Sequence, residues 1–146
     1  MARELYIVDD NCDHHFLLYT ILKQISAKYS VRFFEDGKKL LRHLLSLRGN
    51  SDFPSLIILD LNMPGMNGLQ LLRILKKPTE SMLIPAALIP VIMLSSETRT
   101  EKIQQCYEAG ASAFVVKPIE FDELKNTLQV ICEFWLDIND ISPVKA

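Results

Sequence analysis

Five residues with the chemistry to act on a phosphoryl group each follow a short apolar run. Leu5-Tyr6-Ile7-Val8 leads into Asp9 and Asp10, and Leu56-Ile57-Ile58-Leu59 leads into Asp60. Val91-Ile92-Met93-Leu94 leads into Ser95, and Ala113-Phe114-Val115-Val116 into Lys117. Runs of this length, closed by Pro, Gly or polar residues, read as strands, with Leu56–Leu59 and Val91–Leu94 buried as in the centre of a parallel sheet. In open α/β sheets chemistry gathers beyond the carboxyl ends of the strands. Taken singly, each group has an ordinary explanation as a cap, a turn former or a loop residue. Four strands delivering such groups to one edge make a coherent set. Three crowded carboxylates repel one another and invite a hard divalent cation with oxygen ligands, Mg²⁺ above all. The cation and the Lys117 ammonium neutralise a phosphoryl group, Asp60 is placed to attack phosphorus, and Ser95 offers a hydroxyl donor.

The elements that must position these groups alternate along the chain. Leu18, Ile21, Leu22 and Ile25 recur at helical spacing, with Asp13 as a candidate cap. Val31, Phe33 and the run to Glu35 form a strand broken by Asp36-Gly37, and Leu40, Leu41, Leu44 and Leu45 mark a second helix. Residues 48–54 form a loop into the central strand. After Asp60, Leu71, Leu72 and Leu75 carry a helix that Pro78 ends. Residues 77–90, with Pro78, Pro85 and Pro90 around the apolar patch 82–84, read as a long connection with one turn of helix. A helix is expected from about Thr98, with Thr98 and Glu101 spaced as a capping box, to Ala109-Gly110. The last helix covers roughly residues 121–140. Five alternations of strand and helix imply a doubly wound α/β sandwich with right-handed crossovers.

At 146 residues the chain is expected to be one domain with a proper core. Its apolar fraction of 49% against 23% charged residues fits a soluble globular protein. A net charge of −2 without a basic cluster argues against nucleic acid as a partner. No apolar segment reaches the ~18 residues of a membrane span. The first strand starts too early to leave room for a signal peptide. Cys12, Cys106 and Cys132, odd in number and far apart, fit reduced thiols in a cytoplasm; the latter two lie on apolar helical stripes and are expected in the core.

Val8-Asp9-Asp10, Asp60-Leu61-Asn62-Met63-Pro64-Gly65-Met66-Asn67-Gly68, Met93-Leu94-Ser95-Ser96 and Lys117-Pro118 resemble the receiver domain of two-component response regulators. The resemblance spans Leu5 to about Leu136. It implies a flavodoxin-like fold with a five-stranded parallel sheet in the order 2-1-3-4-5 and five helices. One receiver domain would fill residues 1–146, with a core at about 4–137 and an extended C-terminal helix and tail over 121–146. It further implies that Asp60 is the phosphoacceptor for a sensor histidine kinase or histidine phosphotransfer protein. Mg²⁺ would be bound by Asp10, Asp60 and the backbone carbonyl of Asn62, with Asp9 acting mainly through water. Ser95 and Lys117 would hold the phosphoryl group, and Phe114 falls where the family keeps its rotating aromatic switch. Such a protein is a phosphoacceptor, not a turnover enzyme, and acts on a downstream protein partner or relays the phosphate. Ser95 keeps the hydroxyl of the more usual Thr, whereas Phe114 lacks a phenol and can switch by packing alone. No output domain is recognisable after the receiver.

On the last helix Leu124, Leu128, Ile131 and Trp135 line one stripe, and Val130, Phe134 and Ile141 a second. The second stripe is either a widening of the core face or a surface for a partner or a homodimer. The Glu133-Phe134-Trp135-Leu136 ending is similar to single-domain regulators that work with phytochrome-type kinases. His14 and His15 read as exposed or capping residues, since neighbours on a helix diverge by about 100°. His43 reads as a surface residue, and Met63 and Met66 as packing beside Asp60. Three rival functions are weaker. A phosphohydrolase of the haloacid dehalogenase kind needs an acid where Asn62 stands. A flavin carrier needs a phosphate-cradling loop where Asp9 and Asp10 would repel phosphate. A degenerate receiver, binding partners without phosphate, would not need the complete acid, hydroxyl and lysine set.

Overall fold

The continuous apolar runs form the central strands because both of their faces are covered. In the computed structural model, which describes residues 3–25, 28–47, 53–79 and 81–138, five parallel strands lie in the order β2-β1-β3-β4-β5. They are β1 (Arg3–Val8), β2 (Tyr29–Phe34), β3 (Leu56–Leu59), β4 (Val91–Ser95) and β5 (Ala113–Val116). Side chains alternate between the two faces along each strand. Leu5, Ile7, Leu56, Ile58, Ile92 and Leu94 join one core layer with α1 (Cys12–Ile25) and α5 (Phe121–Cys132). Tyr6, Val8, Ile57, Leu59, Val91 and Met93 join the other, with α2 (Gly37–Ser46), α3 (Gly68–Lys76) and α4 (Thr100–Glu108). This is the doubly wound, five-helix arrangement that the alternation implies. Cys106 and Cys132 are fully buried in the two layers.

Local differences from the sequence reading have physical causes. The cap of α1 is Asn11, not Asp13: its Oδ1 accepts from the backbone N–H of Asp13 at 2.9 Å, leaving Asp13 inside the first turn. The Thr98–Glu101 capping box does not form. Glu97 instead takes the backbone N–H of Arg99 at 3.0 Å and pairs with its guanidinium at 2.9 Å, so α4 starts at Thr100 without a side-chain cap. The proline-rich connection holds a 3-10 helix of eight residues, Ser81–Leu88, more than the single turn expected. Leu83 and Ala86 tuck it into the core, and the Lys76 ammonium ties its exit through the carbonyls of Ala87 (3.2 Å) and Ile89 (2.6 Å). Burial holds that ammonium below its ordinary pKa.

The last helix runs on from α5 as a π-helical segment, Glu133–Ile138. Leu124, Leu128 and Ile131 are buried and Trp135 packs against them, as the first stripe predicts. Val130 and Phe134 of the second stripe stand 64% and 46% exposed, so it is not a widened core face. Ile141, the tail to 146 and most of the 48–54 loop lie outside the described residues. His43 is not a plain surface residue. Its Nε2 meets the Tyr6 hydroxyl at 2.9 Å and its ring packs on Tyr6 and Phe34. No helix among the described residues is long and apolar enough to cross a membrane.

Candidate functional site

Backbone pairing brings the strand ends together. Asp9 N–H donates to the Phe34 carbonyl at 3.1 Å, Asp60 N–H to Val8 at 3.0 Å, and Lys117 N–H to Ser95 at 2.8 Å. Asp9, Asp10, Asp60, Ser95 and Lys117 therefore line one edge. A carboxylate oxygen from each of Asp9, Asp10 and Asp60 lies within 4.8 Å of the others. Three hard oxygen donors at that spacing fit one small divalent cation, whose octahedral shell needs ligand oxygens a few ångströms apart.

The turn after Asp60 is shaped by glycine. Gly65 takes φ +72°, and Gly68 packs so tightly that a Cβ on it would sit 2.2 Å from the Asp60 carbonyl oxygen and 2.8 Å from Leu61 Cα. Asn67 and Gln70 close a capping box on α3 at 2.9 and 2.8 Å, which fixes the loop against the helix start. Met63 is buried and Met66 packs on the same core layer.

The carboxylates are not equivalent. Asp9 is 2% exposed, and its Oδ1 accepts from Asn11 N–H at 2.9 Å. Its Oδ2 meets Lys117 Nζ at 3.3 Å and His14 Nδ1 at 3.2 Å, while Lys117 Nζ and His14 Nδ1 are 3.4 Å apart. Asp10 is exposed. Asp60 is half-buried and accepts from Asn62 N–H at 3.3 Å. Burial raises its carboxyl above the ordinary value. Asp9 pushes the same way, and Lys117, the Asn62 N–H and the Ser95 hydroxyl pull against it. Ser95 is fully buried, and its Oγ accepts from Glu97 N–H at 3.3 Å. Phe114 is half-buried against the layer below α4. An open cleft of about 420 Å³ runs from Asp60, Asn62 and Lys117 along His14, Leu17 and Ile119.

A sequence model described as the response regulator receiver domain matches residues 5–129, most of the chain. The chain belongs to the response regulator receiver family. The two-component response regulator ORR3 of Oryza sativa subsp. indica is 36% identical over 112 residues, which are 77% of each chain. A probable methanogenesis regulatory protein, FilR2 of Methanothrix harundinacea (strain 6Ac), is 27% identical over 92% of this chain and 84% of its own. Among solved structures, the phosphorylated cyanobacterial phytochrome response regulator RcpA is similar at a TM-score of 0.80 and 25% identity, covering 94% of this chain and 96% of its own. The Mn²⁺-bound form of the response regulator Rcp1 follows at 0.77 and 25%, covering 92% and 95%. Receiver domains are in general signalling phosphoacceptors that meet kinases and downstream targets, not turnover enzymes.

Within this receiver every predicted strand-end residue reaches the shared edge. What sequence reasoning missed is His14, which contacts both Asp9 and Lys117 and lines the cleft although 40% of its side chain is exposed. His15 contacts the Asp9 carbonyl and stacks on Phe33, with ring centroids 4.9 Å apart. The position of His14 on the inward side of the first turn of α1 is the signal that could have found it.

Proposed function

We propose that this receiver accepts a phosphoryl group on Asp60 in a Mg²⁺-dependent reaction and so controls the binding of a protein partner or passes the phosphate on. The observation that carries this reading is the convergence of three carboxylates, the buried Ser95 and Lys117 at one sheet edge, where Asp60 and Lys117 line a cleft. In the step itself an Asp60 oxygen forms the new O–P bond as the donor's bond to phosphorus breaks, the leaving group keeping the electron pair. Asp10, Asp60 and the Asn62 carbonyl would hold the cation, with Asp9 through water. When bound, it would offset charge on the transferring oxygens. Lys117 is already in the cleft beside Asp60, resting on Asp9 and His14. The new group carries roughly −1.5 to −2 charge, enough to draw that ammonium and the Ser95 hydroxyl.

The donor is a protein in this reading, a sensor histidine kinase or a histidine phosphotransfer protein. Apolar side chains, Leu17, Leu18, Pro118, Ile119 and Leu124, also line the cleft. Ile119, on the loop after β5, lines it and is 100% exposed. A homodimer through the C-terminal helix would use the exposed Val130 and Phe134.

Beryllofluoride, a mimic of the bound phosphoryl group, tests the switch. With Mg²⁺ it is expected to shift the amide resonances of Asp60, Ser95, Phe114 and Lys117 together. In Lys117→Ala, cation binding should persist while the shifts at Ser95 and Phe114 are lost. Unchanged spectra for the unmodified protein would overturn the proposal.

A further inference from the structure

Phe114 has no phenol, yet a phenol is present beside it. Tyr107, on the last turn of α4, places its hydroxyl oxygen 2.9 Å from the backbone N–H of Phe114, which donates to it. β5 is an edge strand, so the N–H groups facing away from β4 have no strand to pair with. The tyrosine thus fills the ladder position at the residue whose ring lies beneath α4.

This contact matters because α4 is held lightly elsewhere. Cys106 is its one buried residue, against three in α1 and α2, four in α5 and five in α3. Its N-terminus has no side-chain cap. The Arg99–Glu97 pair that precedes it is local and exposed, and such pairs contribute little. At its C-terminus Gly110, at φ +108°, turns the chain back toward β5, donating to the Tyr107 carbonyl at 3.0 Å. An element with so little buried apolar surface is drawn from the low-stability end of the fold. Any shift of α4 relative to β5 breaks the Tyr107–Phe114 bond. The start of α4 is only a short loop from Ser95, the residue that faces the acid cluster.

We infer that Tyr107 is a positioning residue that tethers α4 to β5 in the unphosphorylated receiver, its phenol oxygen accepting from the helix the hydrogen bond that the Phe114 backbone N–H donates from the strand. The tether favours the resting arrangement, and its release accompanies the movement of Ser95 and Phe114 toward a phosphoryl group on Asp60. The inference rests on the proposed phosphoacceptor function and adds to it the element that opposes activation. Release also frees one acceptor and one donor on the face between α4 and β5, where Tyr107 and Val116 are already 49% and 46% exposed.

Tyr107→Phe removes one half-exposed hydroxyl and leaves the ring in place. Relative to the unmodified protein, the variant should bind beryllofluoride about fivefold more tightly in the presence of Mg²⁺, the worth of one neutral hydrogen bond. Its Phe114 amide should exchange with solvent faster, while Mg²⁺ affinity alone stays the same. A merely structural tyrosine would give lower stability with no gain in affinity. Equal beryllofluoride affinity in both proteins, with Asp60 still labelled by acetyl phosphate, would overturn the tether and leave the phosphoacceptor standing. Absence of both labelling and beryllofluoride binding in the unmodified protein would overturn both.

Discussion

Charge is gathered at both ends of the sheet, and the two groups are assembled by opposite rules. At the carboxyl ends of the strands, Asp9, Asp10 and Asp60 crowd within 4.8 Å with Lys117 as the ammonium among them. At the amino ends, Asp137 from the π-helical segment meets Arg3 Nη1 at 2.9 Å on one oxygen and the Tyr29 hydroxyl at 3.0 Å on the other. Arg3 and Tyr29 face each other in the β1–β2 register, so one carboxylate ties two strands to the end of the last helix. Through these contacts among the described residues, the second group is matched: one anion, one cation and one neutral donor. Tyr29 is raised above its ordinary pKa by burial first and then by its bond to Asp137, as expected for a donor held in place. The first group is unmatched, with excess negative charge that a cation would neutralise. Matched charge ties two strands to a helix here, and unmatched charge marks the candidate site.

The largest effect should come from disturbing the turn that supports the unmatched group. Gly68→Ala forces a methyl against the Asp60 carbonyl, with no side chain able to give way, and should cost roughly 3 kcal/mol in urea unfolding. An unchanged midpoint would mean that the turn is not as tightly fixed as its geometry implies. Next, Asp137→Ala breaks the matched group and should cost roughly 1–2 kcal/mol, since its partners are partly exposed. The Tyr29 phenol should then titrate at lower pH, which absorbance near the phenolate band would report. The opposite sign is expected at the other end. Burial and Asp9 make ionised Asp60 unfavourable, so Asp60→Asn should raise stability at neutral pH by roughly a few tenths of a kcal/mol. A loss of stability in Asp60→Asn comparable to that in Asp137→Ala would erase the contrast between the two ends.

The smallest effect tests a site that belongs to neither group. Burial, with Arg32 adding to it, holds His43 below its ordinary pKa, while Glu4 opposes them. The unfolded chain therefore takes up a proton more readily than the folded one. Stability from this residue is full above the unfolded value of 6.5 and declines as pH falls through that value toward the lower folded one. In His43→Phe this part of the pH dependence should disappear. The same slope between pH 7 and 5 in both proteins would assign it to other groups.

Much of the fold was legible because each central strand is a continuous apolar run with its functional residue immediately after it. Asp9, Asp60, Ser95 and Lys117 could be placed on one edge before any coordinates, from topology alone. What was not legible depends on side-chain reach across the chain. Arg3 and Asp137 are 134 positions apart, and no local pattern joins them. The Tyr107 hydroxyl meets the Phe114 amide through the direction in which α4 happens to present it. The capping box at Thr98 and Glu101 failed because Glu97 captured Arg99 first, a competition between two local motifs that spacing does not decide. Asn67 and Gln70, by contrast, carried the same kind of signal and do form their box.

The most direct test of the central claim is intact mass after incubation with acetyl phosphate, with and without Mg²⁺, for the unmodified protein and Asp60→Asn. A gain of one phosphoryl group that needs Mg²⁺ and is lost in Asp60→Asn is the predicted result. Equal labelling of Asp60→Asn, or no labelling of the unmodified protein under conditions where it binds the cation, would contradict the assignment of Asp60 as phosphoacceptor.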